Sequence, residues 1–328
     1  MSIQLGPATL DQPVILAPMS GITDQPFRRL VRGFGVDVVV SEMIASAEQV
    51  RGSRLSNERT RWSPDEGLRV VQLAGCQAEP MALAARLNQD QGADVIDINM
   101  GCPVKKVVGG AAGSALMRDE DHALRLIDAV VGAVDLPVTL KMRTGWDLDQ
   151  RNAPSLAARA ARAGVKMITV HGRTRCQFYD GQADWDFIGK VTEAVNIPLI
   201  ANGDVTCPED AAAMLARSGA AGVMIGRGAF GRPWFPAQVR HFLATGEHLP
   251  DPDLAVQRET VVDHYRSILD HYGPGRGLRI ARKHINRYLE RLNVAKADRR
   301  AVLRQDESDQ VVRQIIAAYD NAMAREAA

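Results

Sequence analysis

The chain has 328 residues, a net charge of +1, 46% hydrophobic and 24% charged residues, and no low-complexity tract. Such a composition is ordinary for a soluble protein with a sizeable core, and the length suits one large α/β domain with a small companion, or two medium domains. No apolar run approaches the roughly 18 residues of a membrane span, and MSIQLGPATL lacks the basic and apolar regions of a signal peptide, so a cytoplasmic protein without a membrane partner is expected. Cys76, Cys102, Cys176 and Cys207 form no CxxC pair, which argues against a disulfide framework or a metal site.

Eight short apolar runs occur in the first 240 or so residues. They are VILAPM (14–19), VDVVVSEM (36–43), LRVVQL (68–73), VIDINM (95–100), PVTLKMR (137–143), KMITVHG (166–172), IPLIANG (197–203) and AGVMIGRG (221–228). They are rich in Val and Ile, as buried parallel strands are. Between most of them lie segments of helical period, such as PMALAARLNQDQGA and PEDAAAMLARSGA, several ending in Gly. Eight βα units predict a TIM barrel over residues 1–243. A doubly wound sheet, the rival, would place a GxGxxG turn after its first strand, and none is there.

Residues 244–254 carry two prolines and a glycine and read as a linker. Residues 255–328 read as a four-helix bundle. Val262, Tyr265, Leu269 and Tyr272 mark one helix, and Leu278, Ile285, Leu289 and Leu292 a second. Two more are expected over 295–304 and 308–325. The near-neutral total hides a local excess. Residues 276–304 hold ten Lys/Arg and two Asp/Glu, a net of +8, so the remainder sums to −7. Arg276, Arg279, Arg282 and Lys283 share one face of the second helix opposite its leucines, with Arg287 extending it. A solvated face is the plain reading of such a run. The charge asymmetry favours phosphate binding.

Barrel enzymes keep their chemistry at the C-terminal strand ends. Those ends carry Pro18-Met19-Ser20, Glu42, Gln72, Asn99 with Cys102, Lys141 with Arg143, His171 with Arg173, Asn202-Gly203-Asp204 and Gly226-Arg227-Gly228. Singly, a histidine here reads as structural, a lysine as solvated and NGD as a turn. In a closed barrel they would converge on one mouth. Glycines after the last two strands let backbone N–H groups approach a phosphate. A flat polar ring with a phosphate tail, such as FMN, fits this set, and so do pyridoxal phosphate and a sugar phosphate.

APMSGITDQPFR, VQLAG, DINMGCPVKKV, LKMRTGWD, VHGRTR, IANGD and MIGRG occur in this order, and ARKHINRYL follows in the tail. Together they resemble the tRNA-dihydrouridine synthases, most of all the bacterial B-type subfamily, over nearly the whole chain. The resemblance implies an FMN enzyme driven by NADPH, with NADH left open. It implies tRNA as partner, with reduction of D-loop uridine at C5–C6, and no obligate protein partner. Hydride would pass from the flavin to C6, and Cys102 would give a proton to C5. By matched position Pro18, Met19, Ser20, Gln72, Lys141, His171, Asn202, Gly203, Asp204, Gly226 and Arg227 would hold FMN. Asn99, Arg143, Lys105, Lys106 and the basic helix would meet RNA. Cys76, Cys176 and Cys207 would be structural. The chain departs from the family at VGGAAG (108–113), where relatives often carry charges. The alternatives are a flavin barrel acting on a free dihydropyrimidine, a Schiff-base aldolase using Lys141, and an RNA-binding protein with an inactive barrel.

Overall fold

The computed structural model describes residues 2–36, 38–63 and 66–326. Met1, Asp37, Pro64, Asp65, Ala327 and Ala328, which fall within the predicted barrel, its second strand and the helical tail, lie outside the described residues. The strands are β1 (Ser2–Leu5), β2 (Ala8–Asp11), β3 (Val14–Leu16), β4 (Val38–Val39), β5 (Ile44–Ala45), β6 (Val70–Ala74), β7 (Val95–Met100), β8 (Val138–Arg143), β9 (Met167–His171), β10 (Leu199–Asn202) and β11 (Gly222–Ile225). β3 to β11 form one parallel sheet in the order β4-β3-β11-β10-β9-β8-β7-β6-β5. A parallel bridge between Val40 and Val70 joins its two ends and closes the barrel.

The second predicted strand, 36–43, is therefore corrected. It is broken: among the described residues β4 pairs with β3 and β5 with β6. Ser41, Glu42 and Met43 leave the ladder between them, and their polar groups find other partners. The Ser41 N–H donates to the Val70 carbonyl at 3.0 Å. The Ser41 hydroxyl oxygen accepts from the Gln72 N–H at 3.0 Å. Glu42 Oε1 accepts from the Gly21 N–H at 2.5 Å. A buried backbone that leaves a sheet must be satisfied in this way.

Alternation along each strand sets the layers. In VIDINM, Ile96, Ile98 and Met100 join the outer core under the helices, while Val95 joins the inner cluster. The register pairs Gln72 with Asp97, Asp97 with Thr139, Asn99 with Lys141, and His171 with Asn202. Paired residues face the same side. The barrel interior thus runs from Val70, Val95, Met167 and Ile200 at the bottom, through Gln72, Asp97 and Thr139, to Asn99, Lys141 and His171 at the top. The antiparallel β1–β2 hairpin was not foreseen. It buries Ile3, Leu5 and Leu10 in the inner cluster and plugs the bottom of the barrel.

The tail consists of helices Leu254–Tyr272, Pro274–Arg291, Lys296–Leu303 and Ser308–Glu326. They enclose their own core of Val261, Val262, Tyr265, Ile268, Ala281, Ile285, Tyr288, Leu289, Ile315 and Tyr319. The segment before them is pinned to the last barrel helix, Phe235–Thr245. Asp251 Oδ1 accepts from Trp234 Nε1 at 2.8 Å and Gln238 Nε2 at 3.0 Å. On the other side of the joint, Phe27 packs against His264 and His284, each ring centroid 5.5 Å away. Arg276 Nη1 binds both oxygens of Glu58, at 2.9 and 2.7 Å.

Candidate active site

The C-terminal ends of the strands open into a cavity of about 880 Å³. Ligand sites are usually concave and of this order, roughly 300–1,000 Å³. Pro18, Met19, Ser20, Gln72, Asn99, Cys102, Lys141, Arg143, His171, Asn202, Gly203, Asp204, Gly226 and Arg227 all line it. Arg287 reaches it from the tail. Lys105, Lys106, Arg276, Arg279, Arg282 and Lys283 do not line it. Lys105 and Lys106 stand exposed on the short helix Lys105–Val108. Arg279 is exposed, Arg276 is held by Glu58, and Arg282 Nη2 lies 3.2 Å from Asp306 Oδ1.

Cys102 is half-buried in a turn held from both sides. Asn99 Oδ1 accepts from the N–H groups of Gly101 at 3.1 Å and Cys102 at 3.0 Å. The Cys102 carbonyl accepts from Ser114, through its N–H at 3.1 Å and its hydroxyl at 2.8 Å. The glycine-rich loop therefore folds back onto the turn. Burial pushes the Cys102 thiol above its ordinary range, against smaller opposing effects of the Val104 N–H, Arg143 and Lys141. The thiol is protonated at neutral pH and can serve as an acid.

Lys141 Nζ donates to Asn202 Oδ1 at 3.1 Å. Its pKa is pushed down to about 8, first by burial and then by Arg143, while Asp97 and Cys102 oppose the shift. It is still cationic at pH 7. Arg143 donates to the carbonyls of Gly101 at 2.8 Å, Thr174 at 2.7 Å and Phe178 at 2.8 Å. It thus ties the Cys102 turn to the loop after β9. Burial, then the neighbouring cations Arg143, Lys141, Arg173 and Arg227, push His171 well below the usual imidazole range. His171 is neutral at pH 7, with one ring nitrogen able to donate a hydrogen bond and the other to accept one.

The opposite end is basic. Asp204 takes the left-handed backbone conformation, φ 62°. Its carboxylate accepts from Arg173 Nη1 and Nη2 at 2.7 Å each, and from the Ala183 N–H at 2.7 Å. Arg227 Nη2 lies 3.3 Å away. An acidic group so engaged orients arginines and offers an anion no donor. Gly203 has φ +127°, and a Cβ there would sit 2.7 Å from Ala183 Cβ and 2.9 Å from His171 Cδ2. Only glycine fits.

Several lining residues escaped sequence reasoning. Met43, Tyr179, Thr206 and Arg232 also face the cavity. Tyr179 lies under two guanidinium groups, Arg227 at 4.7 Å and Arg143 at 5.6 Å from its ring centre. An aromatic among arginines, as in RTRCQFYD, was the available signal. Arg287 and Arg291 come from helix Pro274–Arg291, so barrel and tail share the basic wall.

A closed parallel barrel whose functional groups gather at the C-terminal mouth defines a TIM-barrel enzyme. Among solved structures, the histamine dehydrogenase from Rhizobium sp. 4-9 superposes over 81% of this chain with TM-score 0.56 and 11% identity, and the chain spans half of that protein's length. A likeness at that identity is one of fold. The family model for dihydrouridine synthase matches residues 15–325. A probable tRNA-dihydrouridine synthase of Rickettsia bellii is 50% identical over 99% of this chain and 100% of its own. The tRNA-dihydrouridine synthase B of Xanthomonas campestris pv. campestris is 47% identical over 98% of this chain and 96% of its own. The chain belongs to the dihydrouridine synthase family.

Proposed function

We propose that the protein reduces the C5–C6 double bond of uridine in the D-loop of tRNA, with FMN in the barrel mouth and NADPH as reductant, in the cytosol. The observation that carries this reading is Cys102. A protonated thiol, fixed by Asn99 and Ser114, faces the same cavity as a buried cationic lysine and an arginine-bearing end.

The residues fit a flat polar ring joined to a phosphate. Gln72, Asn99 and Lys141 offer hydrogen bonds at one end of the cavity. The glycine-only position Gly203 and the guanidinium of Arg227 serve the other. When bound, FMN supplies the hydride that C6 of the uracil receives. Negative charge then grows at C5 and the C4 carbonyl. Cys102 gives its proton to C5, which completes the addition of two hydrogens. Lys141, held by Asn202, places a positive charge in this low-dielectric site, where such a charge acts strongly. A stacked base must leave the helix to arrive here, at a cost of about a few kcal/mol. Arg232, Arg287 and Arg291, which also line the cavity, support a grip on its backbone.

The test uses tRNA from cells lacking the gene. Incubation with enzyme, FMN and NADPH, then digestion and mass spectrometry, is expected to show D-loop fragments that gain two hydrogens. Cys102→Ala is expected to lose about 10²-fold or more in rate while tRNA binding persists. A wild-type enzyme that reduces FMN with NADPH yet leaves every uridine unchanged would refute the reading.

A further inference from the structure

Asp97 is buried mid-barrel, 5% exposed, and does not line the cavity. A carboxylate in such a place is costly unless it is fully engaged. Its partners form a directed series. The Gly101 and Cys102 N–H groups can only donate, so Asn99 must turn its oxygen to them. Asn99 Nδ2 then donates to Gln72 Oε1 at 2.7 Å. Gln72 Nε2 in turn donates to Asp97 Oδ2 at 2.7 Å. Asp97 Oδ1 accepts from the Thr139 hydroxyl at 2.6 Å. Two fixed backbone donors at one end oblige an acceptor at the other. Amide orientation is commonly a free choice. Here it is dictated from both ends. Gln72, Asn99 and Thr139 are 1%, 7% and 2% exposed, so water does not compete for these bonds.

We propose that Asp97 is a positioning residue: the terminal acceptor of a one-way amide chain that holds the Gly101-Cys102 turn at the mouth of the barrel. Its link to turnover rests on the proposed function, in which Cys102 is the acid. Its link to the geometry of the turn does not. Burial pushes the Asp97 carboxyl up, and Gln72, Thr139 and Lys141 work against that shift by favouring the ionised acceptor. With Asp97 replaced by an apolar group, Gln72 has a buried donor without a partner. Without that acceptor nothing fixes the orientation of the Gln72 amide, the bond it accepts from Asn99 Nδ2 is no longer held, and the turn loosens.

The experiment measures two quantities on the flavin-loaded protein. One is the rate of Cys102 alkylation by iodoacetamide at fixed pH, read peptide by peptide by mass spectrometry. The other is kcat and KM for uridine reduction in tRNA. Asp97→Leu is expected to speed alkylation about tenfold and to lower kcat about tenfold or more, with KM for tRNA within about twofold. Asp97→Asn keeps an acceptor oxygen for Gln72 and is expected to stay within about threefold of wild type in both. A folded Asp97→Leu with wild-type alkylation and kcat would overturn the proposal. Where Asp97→Leu does not fold, a swap decides. Asn99→Asp puts a second acceptor beside Gln72, whose amide must reverse and present oxygen to position 97. Adding Asp97→Asn supplies a donor there. The double variant is expected to recover the slow alkylation that Asn99→Asp loses, and no recovery would overturn the proposal. If alkylation responds as expected but the wild type reduces no uridine, the proposed function fails and the chain stands.

Discussion

The joint between barrel and tail contains an acid-sensitive cluster. Asp24, His264 and His284 lie buried with ligand atoms within 4.8 Å of one another. His264 Nδ1 is 3.0 Å from the Tyr288 hydroxyl, while both nitrogens of His284 and Nε2 of His264 have no hydrogen-bond partner among the described residues. Burial pushes the pKa of His264 down to about 3, and burial with His264 and Lys283 pushes that of His284 well below the imidazole range. Burial pushes Asp24 up to about 6, with the Glu42 charge adding to the rise and the Phe27 N–H, Lys283 and Tyr272 opposing it. In the unfolded chain each histidine takes a proton near pH 6.5. Below that pH the unfolded state holds more protons, so each histidine removes about 1.4 kcal/mol of stability per pH unit. Asp24 works in the opposite sense. Between about pH 6 and its unfolded value near 4, the folded state holds the extra proton and about 1.4 kcal/mol per unit is returned. The cluster as a whole thus loses about 1.4 kcal/mol per unit across that window. His284→Phe, ring for ring beside Phe27 and Phe230, deletes one of the two histidine contributions. Urea unfolding followed by far-UV circular dichroism from pH 7 to 5 is the assay. Whatever their offset at pH 7, the wild type is expected to lose about 2 kcal/mol more than the variant between pH 6.5 and 5. Parallel stability curves would show that His284 is not held neutral, and the reasoning would fall.

Arg28 and Glu66 form an ion pair at 2.8 Å with side chains 1% and 0% exposed. Arg28→Met removes the cation from a buried carboxylate and is expected to cost about 3–5 kcal/mol in chemical denaturation, whereas replacing both partners by apolar residues recovers most of it. Gly203→Ala is expected to lower the melting temperature and to abolish retention of the proposed FMN through gel filtration, because its Cβ would strike Ala183 and His171 in a left-handed backbone.

Strand β7 was legible residue for residue, because VIDINM combines β-branched residues with a length that suits a strand. The same apolar signal misled at 36–43. Hydrophobicity reports burial, and the chain stays buried through the break after Val40. What divides it is a long-range partner, the Gly21 N–H on Glu42, which no local pattern announces. The β1–β2 hairpin was missed because four-residue strands around Gly6-Pro7 hold only Ile3, Leu5 and Leu10 as a signal. Helical spacing showed that the second tail helix has a basic side. It could not say which stripe meets the barrel, so Arg276 was grouped with exposed Arg279 although Glu58 holds it. All the named strand-end residues except Glu42 and Arg173 line one cavity, because a barrel converts eight separate positions into one ring. Asp204 was found for its place and not its partner, since the pairing with Arg173 spans two strands' loops.

Arg287 and Arg291 give the tail helix a share in the wall of the barrel cavity. The two halves are therefore poor candidates for independent exchange. A chimera that joins this barrel to another relative's helices would replace part of the pocket along with the outer surface. Retargeting by domain grafting would need those two arginines carried across, at the same height on the incoming helix, before any change in preference could be credited to the new surface.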